Sequence, residues 1–117
     1  MTAGVTTSAE LLYRAEQLLS GNIDAAQGNS ARLAAVLARQ ALETIVLQRC
    51  KSFGAEVEYA SMRSRLVILR AFDDPSAAND AAGAWQGLSA VCHRHAFELS
   101  PTVSEVRSQC EVVARLL

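Results

Sequence analysis

Apolar positions recur along this chain at intervals of three and four, and the residues that bracket each run are those that begin and end helices. Leu11, Leu12, Ala15, Leu18 and Leu19 fall on one helical face. Ahead of them Thr7 and Glu10 have the form of a capping box, Glu10 and Arg14 stand four apart in the favourable orientation, and Gly21 supplies a left-handed stop. A longer helix is expected over about Ala31 to Ser52, opened by Gly28, Asn29 and Ser30 and closed by Gly54. Its apolar stripe is Leu33, Val36, Leu37, Ala41, Ile45 and Val46, while Arg32, Arg39 and Glu43 share a polar face at offsets of seven and four. In residues 55–60 Val57 and Tyr59 alternate with glutamates. No second strand candidate exists to pair with them, so this segment is expected to be loop.

Ser61 can cap a third helix reaching about Phe72, with Met62, Leu66, Leu69 and Phe72 inward and Arg63 and Arg70 on one outer face. Asp74 as N-cap with Pro75 at the first helical position starts a fourth, expected to run to about Ala96. Trp85, Leu88, Cys92 and His95 share its stripe. Gly83 and Gly87 remove side-chain bulk, which predicts close approach of a neighbouring helix and costs roughly 1 kcal/mol each in propensity. Thr102 and Glu105 form another capping box, followed by Val103, Val106, Cys110, Val113 and Leu117, a heptad seam that can either close the core or join two copies. The expected fold is all-α, an antiparallel bundle of about five helices in a single domain over 1–117, with residues 1–6 flexible.

Composition narrows the class. Half of the 117 residues are apolar, too many for intrinsic disorder and enough for one core. No apolar run approaches the ~20 residues of a membrane helix, and the first residues lack the basic-then-apolar order of a secretion signal, so a cytoplasmic protein without membrane contact is expected. Cys50, Cys92 and Cys110 are then expected to be core thiols. Ten of the eleven basic residues are Arg, the better partner for phosphate. Arg49, Lys51, Arg63, Arg65 and Arg70 against Glu56 and Glu58 give residues 49–72 a local balance of +3 and leave −4 elsewhere. Such a face is either solvated and paired with nearby acids or contacts phosphate.

Glycine-rich phosphate loops, paired Cys-x-x-Cys motifs and the Gly-x-Ser-x-Gly elbow are all missing. Chemistry therefore concentrates in residues 92–99, which hold both histidines. His93 and His95 on a continuing helix point ~200° apart, so no metal site is expected from them with Cys92 and Cys110, and no cofactor. A histidine acid or base is the stronger idea, with His95 better placed near a helix C-terminus. A structural histidine is the alternative.

The helix containing ARQALE (38–43), the segment SMRSRLVILRAF (61–72) and AWQGLSAVCHRHAFELSPTVSEV (84–106) resemble a short bacterial branch of the HEPN domains. The resemblance implies an all-α homodimer and a metal-independent ribonuclease of the toxin–antitoxin or defence type, often encoded beside a nucleotidyltransferase antitoxin. It also implies an Arg-x4–6-His motif in which His deprotonates an RNA 2′-hydroxyl and Arg stabilises the phosphoryl charge. His95, followed by Ala96 and Phe97, matches the motif's histidine. The arginine belongs at 88–90, where Leu88, Ser89 and Ala90 stand. With that residue missing, His95 and Arg94 are the candidate catalytic pair, and Arg63, Arg70 and His93 the candidate RNA or phosphate contacts. A non-catalytic relative that binds RNA, a nucleotide, an antitoxin or another protein fits the same departure. So does an interaction module that dimerises through the last helix or the Gly83–Gly87 face.

Overall fold

The structure, a computed structural model, describes residues 7–21, 29–93 and 101–117. Five α-helices and no strand are present among them: α1 (Ser8–Leu19), α2 (Ser30–Ser52), α3 (Met62–Phe72), α4 (Pro75–Cys92) and α5 (Val103–Ala114). Each start has a local cause. The Thr7 hydroxyl accepts from Glu10 N at 3.1 Å, Ser61 from Ser64 N at 3.1 Å and the Asp74 carboxylate from Ala77 N at 3.1 Å. At α5 the capping box is complete, because Glu105 also receives the Thr102 N–H. At α1 only the forward half is formed, and α2 starts at Asn29 without a side-chain cap. Gly21 and Gly54 end their helices at φ 78° and 80°, a conformation that a Cβ disfavours. The expected loop at 55–60 is loop, with Val57 tucked in and Tyr59 standing free in solvent.

α2 is the axis of the fold. It touches all four other helices, which surround it in the order α1, α5, α4, α3. Ring position explains where the expected stripe of α2 is corrected. Its buried residues are Ala31, Ala34, Ala35, Ala38, Ala41, Leu42, Ile45, Val46 and Cys50, whereas Leu33 is exposed and Val36 and Leu37 are half-buried. A helix wedged among four neighbours admits small side chains where backbones converge, as at Ala41, whose carbonyl accepts the Ser8 hydroxyl at 3.3 Å. On α3 only Leu69 is buried. Phe72, expected inward, is instead largely exposed and stacks on Phe53, because it lies on the last turn, where α2 has already ended.

The heptad seam of α5 closes the core. Val106 and Val113 have no exposed surface and Cys110 is buried, while the end positions Val103 and Leu117 are open. The interface use of that seam is thereby overturned, since its central side chains are already covered within one chain.

Gly87 and Gly83, paired in expectation, differ. A Cβ on Gly87 would meet the Gln109 side chain of α5, so here the helices do approach closely; at Gly83 it would meet nothing. Gly83→Ala is therefore expected to stabilise the protein by about 0.5–1 kcal/mol through helix propensity alone. Gly87→Ala, which must displace Gln109, is expected to gain less. Urea midpoints of the two variants measured side by side check this.

Candidate functional site

α2 and α4 run antiparallel. Arg49 near the end of α2 bonds Asp73, just before α4, at 2.8 Å, and Arg39 lies against Trp85 and Ser89 further along α4. Arg32, two turns nearer the start of α2, is then level with the C-terminus of α4. Its charge, like that of Arg39, acts on Cys92.

Arg39 is held on three sides. Its Nε donates to Ser89 Oγ at 3.1 Å, its guanidinium lies 4.1 Å from the centroid of the Trp85 ring, and Glu43 stands 3.8 Å away on its own helix. The indole face attracts the cation and fixes its plane. The Glu43 contact is long, so the terminal N–H groups of Arg39 keep donor capacity. Arg32 is half-buried, its Nε is shielded from solvent without a hydrogen-bond partner, and it has no acidic partner among the described residues. A buried donor without an acceptor costs about 1–3 kcal/mol, which an incoming anion relieves. Two guanidiniums on one helix face, beside a hydroxyl and an indole, offer donors of the kind that a phosphate or carboxylate accepts from.

Cys92 adjoins this cluster, and its thiol is less readily ionised than a free one. Burial pushes its thiol up, and the Arg39 and Arg32 charges pull it only part of the way back. Cys50 is likewise raised by burial. Cys110 is pushed up to about 11 from 9.0, chiefly by burial and further by Glu16. The folded chain thus keeps a proton that the unfolded chain releases above pH 9. Stability from this group is complete below about pH 9 and is lost as pH rises towards 11, by roughly 2–3 kcal/mol at the top of that window. Under reducing conditions the urea midpoint is expected to fall between about pH 9 and 11, with a shallower fall for Cys110→Ala.

α4 ends at Cys92, with His93 as an exposed C-cap whose N–H bonds Ser89 O at 3.0 Å. This corrects the expected run to Ala96. Among the described residues no three His, Cys, Asp or Glu converge on one point. His95 and Arg94 lie outside the described residues, as does Gly28.

Arg63 and Arg70 are not part of this cluster. α3 is tied to the far end of α2, through Cys50 Sγ to Arg65 O at 3.5 Å and through the Arg49–Asp73 pair, about 15 Å beyond Arg39 at ~1.5 Å per residue. The +3 balance of that segment is largely consumed there. Arg49 pairs with Asp73, Lys51 with Glu58, and Arg65 donates to the carbonyls of Val57 and Glu58.

The residues that sequence reasoning missed are Arg39, Ser89 and Trp85 as one unit. Arg32 and Arg39 were visible as a pair seven apart, but their partners stand on another helix. Compared with family models, curated proteins and solved structures, the chain gives no match.

Proposed function

We propose that this protein is an RNA-directed, HEPN-like helical bundle of the toxin or defence type, acting in the cytoplasm, with Arg32 and Arg39 as its phosphate contacts. One observation carries the reading. Ser89 stands where the HEPN motif has its arginine, and Arg39 reaches Ser89 Oγ from α2 at 3.1 Å, so a guanidinium is supplied in space where the local sequence lacks one. The Trp85 face that orients Arg39 supports the same role.

In this reading His95 takes the proton of an RNA 2′-hydroxyl, the freed oxygen attacks the adjacent phosphorus, and the departing 5′-oxygen takes the proton back from the imidazolium. Arg39, with Arg94 as a further donor, stabilises the charge on the phosphoryl oxygens. No metal enters, and the resemblance adds a homodimer.

The test is single-stranded RNA incubated with the full chain in EDTA. Slow cleavage by the wild-type chain is expected, lost in His95→Ala while RNA binding persists. Absence of both binding and cleavage in the wild-type chain overturns the proposal.

A further inference from the structure

Arg49 pairs with Asp73, Lys51 with Glu58, Arg107 with Glu16 and Arg115 with Asp80, while Arg39 has a longer contact to Glu43 and Arg65 donates to two carbonyls. Arg14, Arg32, Arg63 and Arg70 have no acidic partner among the described residues, and of these Arg63 and Arg70 share one face of α3. Both are exposed, and among the described residues neither has an acidic partner or a hydrogen bond. They stand seven residues apart on α3, two turns or about 10 Å along one face. Between them Val67 is 64% exposed. α3 is also the least embedded helix, touching only α2 and α4 and burying only Leu69. Its outer face is a stripe of cation, aliphatic side chain and cation that the fold leaves uncovered.

We propose that this stripe docks an acidic amphipathic helix of a partner protein, with carboxylates two turns apart on Arg63 and Arg70 and an apolar residue between them over Val67. A partner helix has the same rise per residue, so carboxylates at i and i+7 arrive in register with both guanidiniums, each a bidentate acceptor for one. A second copy of this chain fits less well. Two-fold packing of α3 on itself sets Arg63 against Arg70 of its mate, and like charges repel. Single-stranded RNA fits less well too, because the side chain between the two cations is aliphatic rather than a stacking platform, and the loop before α3 presents Glu56. The surface stands about 15 Å along α2 from Arg39, and the proposal does not rest on the RNA reading.

The test is fluorescence anisotropy with the full chain and a labelled synthetic helical peptide carrying Glu at i and i+7 and Leu at i+4, beside a scrambled peptide of the same composition. The designed peptide is expected to bind at least tenfold more tightly than the scrambled one, and less tightly as salt rises. Arg63→Ser combined with Arg70→Ser is expected to weaken it at least tenfold, and Val67→Ser severalfold. All three positions are exposed, and circular dichroism verifies that the variants stay folded. Equal binding of both peptides, or undiminished binding by the double variant, overturns the proposal. So does loss in that variant of self-association on sedimentation, or of binding to labelled single-stranded RNA, when the wild-type chain binds no designed peptide.

Discussion

Val106→Glu is expected to leave the chain unfolded at 25 °C, with helical circular dichroism lost and a swollen, aggregation-prone profile on gel filtration. Val106 has no exposed surface and lies in the core with Val113 and Leu88, which are equally covered. The substitution forfeits about 1.5–3 kcal/mol of apolar burial. It also places a carboxylate at a position with no exposed surface in an apolar cluster, at a cost of several kcal/mol more. Together these rival the 5–15 kcal/mol by which a whole domain is stable. Val113→Glu is expected to behave alike. Val103→Glu, at a position 39% exposed, is expected to stay folded and to shift the urea midpoint only slightly. A folded, dissociated Val106→Glu monomer would instead place the seam between two copies.

Arg39→Ala is expected to lower RNA affinity about 10–100-fold, as loss of a charge-assisted hydrogen bond of ~1.5–3 kcal/mol implies. Cleavage is expected to fall further, by ~10²–10³, if the same guanidinium faces the developing phosphoryl charge. The fold should survive. Arg39 is on the partly exposed face of α2, and its stack on Trp85 contributes about 0.5–1 kcal/mol. Arg39→Lys is not expected to rescue binding, since an ammonium offers neither the planar fork nor the same fit over the indole. Thermal melts run with the binding assays separate loss of function from loss of structure.

Much of the architecture was written in the helix ends. Thr7, Ser61, Asp74 and Thr102 all cap as expected, because capping depends on residues three apart. Less legible was how helices lie against one another. Periodicity ranks side chains by hydrophobicity, whereas α2 is a central helix whose alanines are buried and whose Leu33 is not. Phe72 reads as a core residue by offset, yet the helix it would face has ended. The candidate site was half legible. The arginine pair could be read along α2, but the Arg39–Ser89 bond spans 50 residues and exists only once α2 and α4 lie antiparallel. The absence of an arginine at 88–90 was visible; the arginine that reaches Ser89 from α2 was not.

Trp85 is the only tryptophan in the chain, so its emission reports directly on the surface under Arg39. A short single-stranded RNA titrated into the protein in EDTA is predicted to change that emission saturably, and Arg39→Ala is predicted to abolish the saturation. An emission that ignores RNA, or that follows the same curve in the wild-type chain and in Arg39→Ala, would contradict the proposal that this cluster is the RNA phosphate site.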